Sequence, residues 1–182
     1  CSGFVYGLAL AKGLISIGLA ENVLLVTAET YTKFLDKDDK SNRSIFGDAA
    51  AVTVVEKDNS KSDFQFSVGT DGSGFQNLIV KNGAARSGQS DDVTLFMNGP
   101  EIFNFTIEKI PGLVEETLLK NNLTMEDIDL FVSHQANTYM LNYLRKKCKI
   151  PEEKFFIDMK DSGNTVSATI PIAIESALEK GK

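Results

Sequence analysis

CSGFVYGLALAKGLISIGLAENVLLVTAET, residues 1–30, decides the fold. Residues 4–20 are apolar on every side of a helical wheel, with Lys12 the one cation and no acid before Glu21. A helix of that kind belongs inside a large protein rather than on its surface. Ser2 and Gly3 suit its start and Asn22 its end. NVLLVTAET, rich in Val and Leu and bounded by turn residues, then reads as a buried strand. Three other readings of this opening fail on composition. A signal peptide needs a basic leading region and a small-residue cleavage site, which are absent. A membrane span is interrupted by Lys12 with Gly7, Gly13 and Gly18 around it. A lipidated cysteine needs a polar tether, and Phe4 to Leu19 is apolar. What remains is a buried helix with a cysteine at its head.

Further along, Lys33 to Arg43 is charged and reads as a solvated loop, and IFGDAAAVTVVEK as a turn followed by a strand. FQFSVGT is a strand candidate, DGSG a turn, and NGAARSGQSDD (82–92) a polar loop. Pro100 to Leu119 carries Ile102, Phe103, Phe105, Ile110 and Leu113 at helical spacing, an amphipathic helix interrupted by Pro111. DIDLFVS reads as a strand ending at HQAN, and TYMLNYLRKKC as a helix with a basic end. FFIDMKDSGN supplies a last strand and turn, TVSATIPIAIESALEK a last helix. Strands alternating with helices predict an α/β sandwich with a largely parallel, buried sheet. The first and last helices are almost wholly apolar and ask for cover on all sides. The expectation is therefore a piece of a longer chain, incomplete before Cys1 and beyond Lys182.

Composition narrows the function. A net charge of −6 over 182 residues gives no nucleic-acid footprint. Two cysteines, Cys1 and Cys148, are too few for a disulfide scaffold and fit a reduced, cytoplasmic setting. With one histidine and two cysteines, a Cys/His metal cluster is excluded by counting, and no metal site is expected.

Three residues share a setting. Cys1 heads the first helix, His134 stands where DIDLFVS meets a helix, and Asn164 sits in the tight turn Ser162-Gly163-Asn164-Thr165. Reactive groups of α/β folds gather at strand-to-helix junctions. A cysteine at a helix N-terminus feels the positive end of the dipole, which favours the thiolate. Histidine and asparagine can together donate hydrogen bonds to an oxyanion. Singly, each has a plainer explanation: a small buried hydrophobe, a structural histidine, a turn needing positive φ. Only the set points to chemistry.

CSGF opening a helix, FGDAAA before a strand, MNG before a helix, HQAN at a strand end and GNT before an Ala/Ile/Pro-rich helix occur in order. On those motifs the sequence resembles the β-ketoacyl-acyl-carrier-protein synthase III family of thiolase-fold condensing enzymes, over residues 1–182 and somewhat more than half the family's usual length. The resemblance implies a layered α-β-α-β-α sandwich, present as an incomplete fragment. Residues 1–92 would close its N-terminal half and 93–182 would form most of its C-terminal half, with Cys1 internal to the parent chain. It implies that Cys1 takes an acyl group from acyl-coenzyme A, and that malonyl-acyl-carrier protein then enters. His134, as a neutral donor, and Asn164 would hold the thioester carbonyl while carbon dioxide leaves. Asn98, Gln135, Asn137, Arg145, Lys146 and Lys147 are the implied substrate- and carrier-binding residues, although a basic helix end is equally a solvated one. No cofactor is implied. The implied partners are the carrier protein, the coenzyme A thioester and a second copy of the chain, with NVLLVTAET near the interface; neither nucleic acid nor membrane is implied. Thr138-Tyr139 stands where the family often carries an arginine, and GDAAAV and GNTVSAT replace its commoner forms. These departures bear on the carrier and the acyl chain rather than on the reaction.

Rival readings are a papain-like cysteine hydrolase, an N-terminal-nucleophile hydrolase, a same-fold acyltransferase making an ester or amide without decarboxylation, and a non-catalytic fragment. The first lacks a tryptophan-bearing signature. The second needs a free Cys1 amine, which the apolar helix behind it disfavours. Intact Cys1, His134 and Asn164 speak against degeneracy of the fourth.

Overall fold

In the computed structural model, which describes residues 1–58, 64–83 and 92–182, the opening helix α1 runs over Gly3–Ser16. It stops short of the predicted end because Gly18 adopts φ 72°, letting Leu19 N–H bond back to the Leu14 carbonyl at 3.0 Å. One side of α1 lies on the sheet so closely that a Cβ on Gly7 would come within 2.5 Å of Leu25 Cδ1. Phe4 and Ala11 are its buried residues, whereas Leu10, Ile17 and Leu19 are exposed. Burial on all sides is thus not what this chain provides.

Strand β1 (Asn22–Glu29) pairs with β2 (Ala49–Glu56) antiparallel, in register from Asn22↔Glu56 to Glu29↔Ala49. The expected parallel arrangement fails here for a physical reason. A parallel return needs a crossover, usually a full helix. The connection between β1 and β2 holds only a 3₁₀ turn at Tyr31–Phe34 and the one-turn helix α2 (Lys40–Arg43). Asp39 caps α2 by accepting from Ser41 and Asn42 N–H, so part of the predicted loop is helical. The two strands alternate in exposure, and Leu24, Val26, Val52 and Val54 line an outer apolar face, each more than half exposed.

FQFSVGT forms no strand. Its backbone at Gln65 bonds instead to the Asn121 side chain, at 2.7 Å through N–H and 3.0 Å through the carbonyl. DGSG opens a 3₁₀ turn over Gly72–Asn77, leading into β3 (Leu78–Val80), which pairs antiparallel with β4 (Leu95–Met97). Of the polar loop predicted between these strands, residues 84–91 lie outside the described residues. Helix α3 (Gly99–Lys120) is continuous through Pro111, contrary to the expected break. The proline removes one bond, to the Ile107 carbonyl, and the turns on either side hold.

Phe131–Val132 (β5), Thr138–Lys147 (α4) and Phe155–Phe156 (β6) make a parallel β-α-β unit, in which the predicted parallel pairing occurs; a single parallel bridge also joins Phe46 to Asn164. Helix α5 (Thr169–Glu179) covers it, with Ala173 and Ala177 packed on Phe156, Leu130 and Val132. Small residues on α5 let helix and sheet approach, and Leu141, Ile150 and Phe155 fill a second cluster under α4. No helix among the described residues is long and apolar enough to cross a membrane.

Candidate active site

The turn between β6 and α5 organises the site. Gly163 takes φ 65°, and a Cβ there would stand 2.8 Å from the Ile45 carbonyl oxygen. A Cβ on Gly47 would stand 2.3 Å from the Ser162 carbonyl oxygen. Two glycines thus allow bare backbone contact between Ile45–Gly47 and Ser162–Asn164. Asn164 N–H donates to Ile45 O at 2.8 Å, and Gly47 N–H donates to Asn164 O at 3.0 Å. Asn164 is clamped on both backbone sides. This is the local role of FGDAAA, which sequence alone leaves open.

The Asn164 side chain is oriented as well. Its Oδ1 accepts from Val166 N–H at 3.0 Å, which leaves Nδ2, with no hydrogen-bond partner among the described residues, as the donating end. Val166 adopts φ 57°, unfavourable for a β-branched residue, and is buried. Strain of this sort persists where the surroundings over-determine the backbone, commonly at functional sites.

The same turn reaches the other two residues. Ser167 Oγ bonds the Glu29 carboxylate at the end of β1, and its Cβ lies 3.3 Å from where a Cβ on Gly3 would stand. The start of α1 is thereby seated on the turn. Cys1 sits just ahead of the N-cap Ser2, whose carbonyl takes Tyr6 N–H at 3.1 Å, and its thiol is free of any disulfide. His134, just past β5, places Nδ1 2.7 Å from Thr169 Oγ1 at the start of α5. Burial pushes its pKa down to about 4, and the Val166 carbonyl opposes this. The imidazole is neutral at pH 7, within electrostatic reach of Cys1. The turn thus draws together all three residues read from the sequence.

The remaining predicted residues separate. Asn137 caps α4 through Oδ1, which accepts from Met140 N–H at 2.8 Å, and Asn98 caps α3 in the same way through Glu101 N–H at 3.5 Å. Gln135 corrects the expectation of a substrate contact. It is 1% exposed, its Nε2 donates to Ser133 O at 2.8 Å, and its Oε1 accepts from Asp158 N–H at 2.9 Å. It is a strut between the segments following β5 and β6. Arg145 is likewise committed, to Ile150 O at 3.3 Å and Glu152 at 3.1 Å, whereas Lys146 and Lys147 are exposed. An open cleft of about 460 Å³, lined by Asn137, Thr138, Met159 and Gly163 among others, borders the turn. No cluster of three or more metal-ligating side chains occurs among the described residues. Thr169, Gly47 and Glu29 escaped the sequence reading. For Thr169 the only signal is a hydroxyl at the head of the last helix; for Glu29 it is a carboxylate ending an apolar strand.

The chain was compared with known proteins. The model of the 3-oxoacyl-[acyl-carrier-protein] synthase III family matches residues 1–72, and that of the same family's C-terminal domain matches residues 118–182. A β-ketoacyl-[acyl-carrier-protein] synthase III of Caldanaerobacter subterraneus is 36% identical over all of this chain and 57% of its own length. One solved 3-oxoacyl-(acyl-carrier-protein) synthase III is 44% identical, with a TM-score of 0.96 over the whole chain and 59% of that protein. Another, from Burkholderia xenovorans, is 37% identical with a TM-score of 0.93, over the whole chain and 54% of that protein. The chain spans about 57% of the curated relative. The models of the family's two parts, matching residues 1–72 and 118–182, and superposition on its solved members establish that the chain belongs to the 3-oxoacyl-[acyl-carrier-protein] synthase III family, with its thiolase-type α/β fold.

Proposed function

We propose that the protein of which this chain forms part is a condensing acyltransferase that joins an acyl group to a malonyl thioester with loss of carbon dioxide. The observation that carries this reading is the Asn164–Thr169 turn, which ties a free amide donor and a neutral imidazole to the helix start beside a free cysteine.

In the first half-reaction the Cys1 thiolate attacks the carbonyl of an acyl-coenzyme A, the carbon–sulfur bond of the thioester breaks, and coenzyme A leaves as a thiolate that takes up the proton Cys1 released to solvent on ionising. In the second, malonyl-acyl-carrier protein places its thioester carbonyl between Asn164 Nδ2 and His134. Carbon dioxide departs and the donors stabilise the enolate. The enolate carbon attacks the acyl-Cys1 carbonyl, the carbon–sulfur bond breaks, and β-ketoacyl-carrier protein is released with the thiolate restored. The scheme requires no bound cofactor. Neutral His134 suits it, because an imidazolium beside the nucleophile would hold the thiolate as an ion pair.

Lys146 and Lys147 at the exposed end of α4 support docking of an acidic carrier protein, and Asn98 and Asn137 keep their amide nitrogens toward solvent or substrate. The apolar outer face of β1–β2 supports a homodimer. The reading divides the chain at residues 92–93 between the two halves of the fold, and the free cysteines suit a cytoplasmic enzyme. Intact-mass measurement tests the chemistry. The protein is expected to gain one acyl group on Cys1 from acetyl-coenzyme A and to lose it, as β-ketoacyl product, on adding malonyl-carrier protein. An adduct that malonyl-carrier protein leaves untouched favours the non-decarboxylating transferase, and no adduct with any acyl thioester refutes the nucleophile.

A further inference from the structure

We propose that Thr169 is the positioning residue that keeps the ring proton of neutral His134 on Nε2, the nitrogen facing away from its own hydroxyl. The inference rests on the reading of His134 as a donor to the reacting thioester and supplies the device that makes it one.

The argument is a count of protons. Thr169 Oγ1 lies 2.7 Å from His134 Nδ1 and 3.0 Å from the Val166 carbonyl oxygen. A hydroxyl carries one proton and cannot donate to both. Hydroxyl-donated bonds cluster at about 2.7–2.8 Å and N–H-donated bonds at about 2.9–3.0 Å. The shorter contact therefore has the length of O–H···Nδ1, and the longer one lies at the far end of the range for a hydroxyl donor. The Val166 carbonyl also has another supply. It opens the 3₁₀ turn Val166–Ala168, in which the backbone N–H three residues on reaches it. The hydroxyl proton is thus free for Nδ1, whose lone pair accepts it, and the one ring proton of the neutral imidazole stays on Nε2.

Thr169 is 2% exposed, which leaves no room for water to compete for Nδ1, and its β-branched side chain is stiff at the first residue of α5. The ring's other contact is the Val166 carbonyl, an acceptor that draws the ring proton toward itself, so the hydroxyl is what opposes that tautomer. The His134 carbonyl is engaged by Ala136 N–H at 3.0 Å, which fixes the loop but says nothing of the ring. Without the hydroxyl, Nδ1 would face the Val166 carbonyl. Two acceptors in opposition are relieved only if the ring proton moves to Nδ1. The donor would then point inward and Nε2 would offer a lone pair to the substrate, the wrong polarity for an enolate.

His134 is the one histidine of these 182 residues, and in the longer protein its ring signals are identified by their loss in His134→Gln; ¹⁵N-histidine labelling and long-range ¹H–¹⁵N correlation then read the tautomer without substrate. The protein and Thr169→Ser are expected to show a protonated Nε2 and a bare Nδ1, and Thr169→Val to move the proton to Nδ1 in most molecules. Malonyl-thioester decarboxylation is expected to fall by about 10-fold in Thr169→Val, short of complete loss of an oxyanion donor, and to return in Thr169→Ser. A wild-type spectrum with the proton on Nδ1 overturns the proposal, as does a Thr169→Val spectrum unchanged from wild type. If Thr169→Val does not fold, the wild-type and Thr169→Ser spectra still decide it. The predicted tautomers in a protein that decarboxylates no malonyl thioester would uphold Thr169 and refute the proposed reaction instead.

Discussion

Asn164 and Cys1 are held in opposite ways. Asn164 is buried, bonded through both its N–H and its carbonyl to the Ile45–Gly47 segment, and oriented through Oδ1 by Val166. Cys1 lies ahead of the helix that follows it and is held through that helix, whose seat is formed by Gly3 against Ser167. The contrast fits the two tasks proposed for these residues. A donor to a developing negative charge works through being already in place, since reorganisation at the moment of reaction would cancel its benefit. A nucleophile must be reached by an incoming thioester and must carry an acyl group away from it.

The comparison can be broken at its rigid side. Gly47→Ala puts a Cβ within 2.3 Å of backbone oxygen, which no rotamer can relieve. We expect a loss of about 2–4 kcal/mol in urea-unfolding stability, in the range of overpacking and backbone-strain mutations. Acylation of Cys1 should outlast condensation in this variant. Asn164→Ala removes the donor with less effect on the backbone. Decarboxylation is expected to fall about 100-fold or more while the Cys1 adduct still forms by mass. Equal loss of both half-reactions would mean the two residues are not separable as described.

A smaller effect sharpens the electrostatic side. The folded-state pKa of His134, about 4, lies below its ordinary 6.5. Between these values the unfolded chain binds more protons, so stability is fully present above pH 6.5 and is lost as pH falls toward 4. The urea midpoint should drop over that window in the protein and drop less in His134→Gln. Smallest of all is Val166→Gly, which relieves φ 57° and removes a buried side chain. Each term is about 1–2 kcal/mol, and the melting temperature should move little. A fall as large as that of Gly47→Ala would show that the Val166 side chain, not the backbone path, holds the turn.

The candidate residues of the site were more legible than their supports. Cys1, His134 and Asn164 stand out because reactive residue types at strand-to-helix junctions are few in a chain with one histidine and two cysteines. Gln135 was misread because an amide has the same composition whether it faces a substrate or, as here, two backbone segments. The antiparallel β1–β2 pair was illegible because both faces of NVLLVTAE are apolar enough to suggest full burial, and alternation gives no warning. Pro111 suggested a break that twenty-two helical residues, capped by Asn98, override. Thr169 and Gly47 act through contacts made across the fold, for which no local pattern exists.

The Ile45–Gly47 contact with Ser162–Asn164 links segments more than a hundred residues apart. Contacts of such separation carry a high loop-closure cost and form late in folding. Cys1 precedes His134 and Asn164 by more than 130 residues, so on a growing chain the proposed nucleophile is made well before the two proposed donors. On the function proposed above, the decarboxylating half-reaction is therefore reserved for the finished fold.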